Sequence, residues 1–300
     1  MIKTLRIQLT EECNLNCVYC CNEGTKNEYS ILKNRNLESF IRAAYDVLDI
    51  KRVKFTGGEP LKYDEDICKL IENVDRSEIQ YSIVTNATQY SKLISLIDNF
   101  PNTEVTVSLP VPPNAKYISA FKRITGAINE HHDLRNVIDC VEYMLELRVP
   151  FKINYVLCKG INTSNSYIKE IIQYAQQHRL IQLRFLETVV NSTNNRGGRM
   201  SRFVFTQADF ENTLENLGYG DSVRSKVSDR RSSCVYDIDG CNIKFIKFFC
   251  DNSCQDCPED KTSLWLTSTG CIKKCCYRSS SLPVNNWQYN RIAQQLESFI

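Results

Sequence analysis

Four cysteines fall within nine positions near the start of the chain, in the stretch LTEECNLNCVYCCNEG at residues 9–24. Cys13, Cys17 and Cys20 follow the spacing CxxxCxxC, and Cys21 comes directly after them. Thiolates are soft ligands that select zinc or iron–sulfur clusters. A structural zinc site takes four ligands, and adjacent side chains such as those of Cys20 and Cys21 rarely reach one metal. The spacing therefore indicates three ligands and an open coordination position, which is typical of a catalytic metal site. The alternative is that this cluster of cysteines has no catalytic role.

The cysteines of the whole chain also favour metal binding. There are 15 of them, an odd number, and the polar start MIKTLRIQLTEEC does not resemble an export signal, so we do not expect a disulfide scaffold. Six of the cysteines lie within residues 250–276. Clusters near both ends of such a chain predict two metal sites.

Charge and hydropathy limit the class of protein. The formal net charge is +2, which does not favour a nucleic-acid polymer as a partner. No run approaches the roughly eighteen apolar residues of a membrane span. We therefore expect a cytoplasmic protein without a membrane partner.

A second motif, TGGEP at residues 56–60, follows a short apolar run. The pair Gly57 and Gly58 would permit close approach of a ligand to the backbone, and Glu59 could accept a hydrogen bond from an ammonium group. Taken alone, the same residues could form a simple turn.

The elements that must position these motifs alternate between strands and helices. Amphipathic segments at 37–49, 136–148 and 167–178 have helical spacing and lie between short apolar runs. This alternation predicts an α/β fold with parallel strands, closed in part into a six-stranded barrel, whose chemistry lies beyond the carboxyl ends of the strands. The predicted strands cover residues 4–9, 52–55, 81–85, 104–109, 151–157 and 180–187.

Together, CNLNCVYC and TGGEP resemble the radical S-adenosylmethionine superfamily. The resemblance implies a partial TIM-like (β/α)6 barrel in which Cys13, Cys17 and Cys20 hold a [4Fe-4S] cluster. The amino and carboxylate groups of S-adenosylmethionine would chelate the fourth iron, and the 5′-deoxyadenosyl radical would abstract hydrogen from the substrate. The residues implied as contacts of S-adenosylmethionine are Tyr19, Gly57, Gly58, Glu59, Thr85, Ser108 and Asn154.

Beyond residue 190 the pattern changes. We expect residues 1–190 to form the barrel, 191–205 a linker loop and 206–300 a C-terminal domain. That domain is predicted to contain a helix at 206–217, a hairpin over 234–249 turning at Asp239-Gly240, and one or two helical turns at the end.

The chain is similar over some 180 residues to the GTP cyclase of molybdenum-cofactor biosynthesis, and the tail LWLTSTGCIKKCCY resembles the second cluster site of that family. Auxiliary-cluster domains of the twitch or SPASM type share this arrangement. The resemblance implies an auxiliary [4Fe-4S] cluster, for which a zinc ribbon is the alternative. Its implied ligands are Cys254, Cys257 and Cys275, with Cys250 as a candidate fourth and Cys271 and Cys276 in reserve, so that three or four ligands are both open; Cys21 has no assigned role.

The same resemblance implies a set of phosphate-binding cations on or beside the strands. Some of them could instead pair with Glu59 or Glu187, or lie on the outer face. The cations are Arg6, Arg52, Lys54, Lys152 and Arg184.

Three departures argue against GTP cyclisation itself. Ser263 and Trp265 stand where the cyclase has an Arg-x-Arg pair, Pro110 stands where it has an acid, and the last residues read QQLESFI in place of Gly-Gly. We therefore expect a radical enzyme acting on a small nucleotide or phosphorylated substrate, with a flavodoxin- or ferredoxin-type reductant. Modification of a ribosomally made peptide is the second hypothesis, although no leader-binding domain is expected ahead of the first strand. An iron–sulfur or zinc scaffold or sensor is the non-enzymatic one.

Overall fold

The chain folds around one long β-sheet, and the computed structural model describes residues 2–20, 30–32, 35–74, 76–190, 200–248, 262–275 and 281–299. Within those ranges the sheet has twelve strands. They are β1 (Thr4–Gln8), β2 (Arg52–Thr56), β3 (Gln80–Thr85), β4 (Glu104–Ser108), β5 (Phe151–Val156), β6 (Ile181–Leu186), β7 (Ser228–Asp229), β8 (Ser233–Ile238), β9 (Cys241–Ile246), β10 (Ser263–Leu266), β11 (Cys271–Lys273) and β12 (Leu282–Pro283).

Helices follow most of the early strands and cover one face of the sheet. In the described part of the chain the α-helices are α1 (Leu37–Leu48), α2 (Asp64–Val74), α3 (Tyr90–Asn99), α4 (Ile118–Thr125), α5 (Glu130–Glu146), α6 (Asn165–Gln177), α7 (Gln207–Asn216), α8 (Gly220–Arg224) and α9 (Tyr289–Phe299). Short 3₁₀ turns lie at Pro60–Tyr63, Ala115–Tyr117 and Ser201–Phe203.

Eight neighbouring strands run parallel, in the order β10-β1-β2-β3-β4-β5-β6-β9. The first six strands of the chain form the centre, as the sequence predicted, and the C-terminal part adds one parallel strand to each edge. Antiparallel strands continue outward, β11 and β12 beyond β10, and β8 and β7 beyond β9.

The two faces of the parallel strands differ in polarity. On β1, Leu5 and Ile7 are fully buried against the helices, whereas Arg6 between them is only partly buried. Lys54 on β2 has its pKa lowered in part by Arg184 on β6, although four strand spacings in a flat sheet would separate them by about 19 Å. This reach is consistent with a curled sheet, and the eight parallel strands confirm the predicted α/β partial barrel. We call its concave polar face the lumen, represented by Arg6, Lys54, Glu104, Lys152 and Arg184.

Local predictions were mostly confirmed, with two corrections. Asp239 and Gly240, at φ values of 51° and 75°, form the predicted turn between β8 and β9. Helix α5 begins at Glu130, six residues before the predicted start at 136, because its first buried residue is Leu134 and its polar first turn carries no apolar pattern. The final helix α9 has 11 residues, about three turns and not one or two.

The loops that follow β1, β2 and β3 lie side by side at the end of the barrel where the parallel strands have their carboxyl ends. We call this end the rim and define it as residues 9–20, 57–61 and 85–88. Main-chain hydrogen bonds join its first two segments. Among the described residues no helix is long and apolar enough to cross a membrane.

Candidate active site

The cysteine motif occupies the loop after β1, and the end of helix α4 holds that loop. The N–H groups of Asn16 and Val18 donate to the carbonyl oxygens of Thr125 and Ile124, each at 2.8 Å. The last carbonyls of a helix lack partners within the helix, so they are available for such contacts. The cysteine loop is therefore positioned by main-chain bonds that do not depend on its side chains.

The three motif thiols lie close enough to affect one another. Burial raises the pKa of Cys13 to about 11, and the negative charges of Glu59 and Cys20 contribute. Burial, then the charges of Cys20 and Cys13, also raise the pKa of Cys17. A bound metal cation has the opposite effect: it lowers the pKa of a thiol and makes the thiolate the stable form.

Three thiols in one loop fit the ligand set of an iron–sulfur cluster. No group of three His, Cys, Asp or Glu side chains in the described residues is placed to hold one metal ion. A cluster gives each thiolate its own iron, so the sulfur atoms need not converge on one point. The Cys13 sulfur also faces the Leu15 N–H at 3.4 Å and the Asn86 amide nitrogen at 3.8 Å, and such bonds to sulfur tune a cluster.

The glycine pair of TGGEP brings the loop after β2 against the chain just before Cys13. Gly58 N–H donates to the Thr10 carbonyl and Glu59 N–H to the Glu12 carbonyl, both at 2.7 Å. A Cβ at Gly58 would lie 1.9 Å from the Glu12 oxygen, and one at Gly57, whose φ is 144°, would lie 2.5 Å from the Thr10 oxygen. The close approach that the sequence suggested for a ligand thus serves the main chain of the cysteine loop.

The Glu59 carboxylate ties the loop after β2 to the end of β3. It is 1% exposed and accepts hydrogen bonds from the Thr85 hydroxyl at 2.6 Å, the Asn86 N–H at 2.8 Å and the Leu61 N–H at 3.0 Å. Burial raises the pKa of Glu59 to about 7 against these bonds. A carboxylate has about four acceptor positions, so one remains for the predicted ammonium group.

The other predicted contacts of S-adenosylmethionine lie in two places, at the rim and in the lumen. Thr85 is buried at the rim, where its hydroxyl also accepts from Ala87 N–H at 2.9 Å. The Tyr19 side chain contacts Cys17, and burial raises the pKa of its phenol. Ser108 and Asn154 are partners in register on β4 and β5 and face the lumen, partly buried. Their contact with the cofactor remains a prediction.

Sequence reasoning missed several polar residues of the rim. Asn86 donates to the Asn14 side chain at 2.9 Å, and Asn14 donates to the Thr88 hydroxyl at 2.7 Å, which joins the loop after β3 to the cysteine motif. Cys158, buried after β5, lies near enough to raise the pKa values of Cys17 and Tyr19. Only their positions at strand ends or inside the motif could have indicated these residues.

The predicted cations converge in the lumen. Arg6 on β1 and Lys54 on β2 are direct cross-strand neighbours. Like charges in such a pair destabilise a sheet. Burial, followed by the charges of Arg6, Arg184, Lys152 and Arg52, lowers the pKa of Lys54 to about 7. Lys244, which the sequence analysis did not name, is the register partner of Arg184 on β9.

The lumen carboxylate is Glu104 on β4, not the two acids that the sequence suggested. It pairs with Lys152 and, at 3.2 Å, with Arg52. Glu59 is engaged at the rim, and Glu187 accepts from Phe248 N–H at 2.8 Å. Glu104 was missed because only the strand register shows that it shares a face with the cations.

The predicted auxiliary site lies mostly outside the described residues, which exclude Cys21, Cys250, Cys254, Cys257 and Cys276. Two further cysteines are described: Cys271 is half-buried and Cys275 is buried. Strand β11 runs antiparallel to β10, with Lys273 opposite Trp265, so the chain heads toward the amino ends of the parallel strands as it reaches Cys275. Cys275 therefore lies toward the end of the barrel opposite the rim.

More than half of this chain matches a known protein family. The profile of the Radical SAM superfamily matches residues 7–175. A probable GTP 3′,8-cyclase of Pyrococcus abyssi is 30% identical over 284 residues, which cover 94% of this chain and 87% of that protein. The GTP 3′,8-cyclase of Helicobacter pylori is 24% identical over 310 residues, 100% of this chain and 88% of that protein.

Solved structures agree on the fold. Streptococcus suis SuiB, bound to its precursor peptide SuiA, aligns with a TM-score of 0.66 at 17% identity and covers 100% of this chain and 67% of that one. The protein anSMEcpe, with AdoMet and a peptide bound, aligns with a TM-score of 0.60 at 16% identity, covering 97% and 80%. At such identities the likeness concerns the fold alone.

Proposed function

The chain belongs to the radical SAM superfamily and is a radical SAM enzyme, and we propose that its substrate is a small polyanion held in the lumen. A nucleotide or another phosphorylated metabolite has the required chemistry. S-adenosylmethionine and a [4Fe-4S] cluster are the cofactors that the superfamily implies.

Within this proposal Cys13, Cys17 and Cys20 hold the cluster at the rim. When bound, the cluster and S-adenosylmethionine supply a 5′-deoxyadenosyl radical that abstracts a hydrogen atom from the substrate. The chain's own residues position the cofactor and the substrate and exclude water from the site. The loop after β2 would present its backbone and the remaining acceptor position of Glu59 to the amino group, while Tyr19, Thr85, Ser108 and Asn154 would contact the rest of the cofactor.

The crowding of like charges around Lys54 carries the proposal for the substrate. Arg6, Lys54, Lys152 and Arg184 share the lumen face with one carboxylate in the described residues, Glu104. Burying cations beside one another is costly unless an anion joins them. Arginine and lysine bind phosphate groups through charge-assisted hydrogen bonds, and a polyphosphate could meet several of these cations at once.

We also propose an auxiliary [4Fe-4S] cluster, held by Cys250, Cys254, Cys257 and Cys275 in a C-terminal domain of residues 206–300 that follows a linker at 191–205. The position of Cys275 toward the end opposite the rim supports a division of labour along the barrel. A flavodoxin- or ferredoxin-type protein would supply the electron.

The lumen favours a small anion over a peptide. SuiB and anSMEcpe were solved with peptides, but their likeness at 16–17% identity does not extend to substrates. The cyclase relatives act on GTP by name, whereas Ser263 and Trp265 replace the arginine pair that the resemblance implies. A related reaction on a differently recognised nucleotide fits both observations.

The test uses anaerobically reconstituted enzyme with dithionite, S-adenosylmethionine and deuterated nucleoside triphosphates. We expect deuterium in 5′-deoxyadenosine with at least one nucleotide, and inhibition of that transfer by inorganic tripolyphosphate, which carries the charge without the nucleoside. If saturating nucleotides neither bind nor change 5′-deoxyadenosine formation, the proposal is wrong.

A further inference from the structure

Trp265 brings an aromatic ring to the cationic face of the lumen. Strand β10 joins β1 in parallel, and Trp265 is the register partner of Arg6. Leu264 and Leu266 on either side of Trp265 are fully buried on the opposite face, whereas Trp265 is only partly buried. The indole therefore lies on the lumen side at the level of Arg6.

The contact between Trp265 and Arg6 fixes the ring beside the charge cluster. The guanidinium carbon of Arg6 is 4.9 Å from the centroid of the indole, a cation–π distance. Arg6 is in turn the neighbour of Lys54 on β2. One transverse row across three strands thus presents an aromatic ring and then two cations.

We propose that Trp265 determines specificity by stacking on a planar ring of the substrate while Arg6 and Lys54 bind its anionic groups. This inference rests on the proposed function and names the substrate class more narrowly, as a nucleotide recognised by the face of its base. Neighbouring strands are about 4.8 Å apart, so an anion at Arg6 and Lys54 and a ring on Trp265 lie within the span of one nucleotide.

The stacking mode has a consequence for selectivity. Every base has a π-face, so stacking tolerates different bases, whereas hydrogen bonds to base edges distinguish them. Recognition by the face of Trp265 therefore predicts an enzyme that binds several nucleoside triphosphates with similar affinity.

The first experiment compares ligands on the reconstituted enzyme. Dissociation constants are measured by equilibrium dialysis for ATP, GTP, CTP, UTP and inorganic tripolyphosphate. We expect the four nucleotides to agree within about tenfold and to bind about 10- to 100-fold more tightly than tripolyphosphate. If tripolyphosphate does not bind, the proposed function fails; if it binds and the nucleotides bind no more tightly, only the stacking inference fails.

The second experiment changes the ring. Trp265→Ala should reduce nucleotide binding to the level of tripolyphosphate and leave tripolyphosphate binding within about twofold, whereas Trp265→Phe should keep most of the nucleotide affinity because it keeps a π-face. An equal loss for both ligands in Trp265→Ala, or a loss of tripolyphosphate binding in Trp265→Phe, would show a structural role and overturn the inference.

A spectroscopic readout avoids dependence on a disruptive variant. The chain has two tryptophans, and Trp287 contacts Phe40 and Arg35 on the outer side of the sheet. Trp287→Phe leaves Trp265 as the single tryptophan emitter. The titration uses the reconstituted enzyme, and the emission is corrected for the absorption of the clusters in each sample. We expect nucleotides to quench its emission and tripolyphosphate not to; quenching by both or by neither contradicts stacking.

Discussion

The rim and the lumen treat buried charge in opposite ways. At the rim, the buried carboxylate of Glu59 accepts three hydrogen bonds from Thr85, Asn86 and Leu61. In the lumen, burial and then the charges of Arg6, Arg184 and other cations lower the pKa of Lys54 to about 7. The buried charge at the rim thus has hydrogen-bond partners within the chain, whereas the charge of Lys54 is opposed by its neighbours, which is the basis of the anion proposed above.

This contrast separates two steps that a radical enzyme must perform. In the proposed function, cleavage of the cofactor depends on the geometry of the rim, and use of the radical depends on what the lumen holds. Changes at the rim should therefore abolish cleavage, and changes to the cations of the lumen should leave cleavage but alter substrate binding.

The largest effect is expected at the cysteine motif. Cys17→Ala, like Cys13→Ala or Cys20→Ala, should reduce reductive cleavage of S-adenosylmethionine to the level without enzyme, because a three-thiolate site loses one ligand. 5′-Deoxyadenosine by liquid chromatography measures the result. Cys68→Ala, on helix α2 and partly exposed, is the matched control and should keep full cleavage. Cleavage retained by the motif variants would remove the basis for placing the cluster there.

The next effect concerns backbone approach at the rim. Gly58→Ala would place a Cβ 1.9 Å from the Glu12 oxygen, so the cysteine loop must shift. We expect a loss of cleavage of about 100-fold, together with lower iron content. Gly160→Ala is the control, since nothing lies within 4 Å of its added Cβ, and it should cost only about 1 kcal/mol for its positive φ. Equal activity in the two variants would show that the rim tolerates displacement.

The success of sequence reasoning differed between the two regions for a physical reason. Cys13, Cys17, Cys20 and Glu59 sit in short motifs whose meaning is local, so their place at strand ends could be predicted. The pairing of Glu104 with Lys152, and the position of Lys244 beside Arg184, depend on strand register and on curling of the sheet. Those relations join residues far apart in the chain, and no spacing encodes them.

A lumen variant should separate binding from cleavage. Lys54→Met removes one of the mutually repelling cations and keeps the length of the side chain. Tripolyphosphate affinity should fall about 10- to 100-fold, because a charge-assisted hydrogen bond is lost, while substrate-independent cleavage of S-adenosylmethionine remains within twofold. The free enzyme should become more stable by about 1–3 kcal/mol, seen as a higher Tm. A lower Tm with unchanged affinity would mean that Lys54 is satisfied without an anion.

The pH dependence of binding should also depend on Lys54. Its pKa, near 7 in the free enzyme, lies below the ordinary lysine value, so the ammonium loses its proton as the pH rises through 7, and anion binding must restore it. The affinity of the unmodified enzyme for tripolyphosphate is divided by that of Lys54→Arg, whose side chain stays charged. This ratio should fall by up to about tenfold per pH unit above 7 and level off below pH 7. Because both proteins meet the same ligand, its own titration cancels in the ratio. A ratio independent of pH between 6 and 9 contradicts the linkage.

The smallest effect is expected farthest from the rim, at Cys275. Cys275→Ala should lower the iron content by about half and leave substrate-independent cleavage of S-adenosylmethionine within twofold, because the rim is held by its own hydrogen bonds and by the end of helix α4. Iron is measured by a colorimetric assay on anaerobically reconstituted protein, with Cys68→Ala again as the control. If cleavage disappears along with the iron, the opposite end of the barrel supports the rim directly. The rim and the opposite end of the barrel would then form one cooperative site. Cleavage of the cofactor could not be separated from events elsewhere in the barrel.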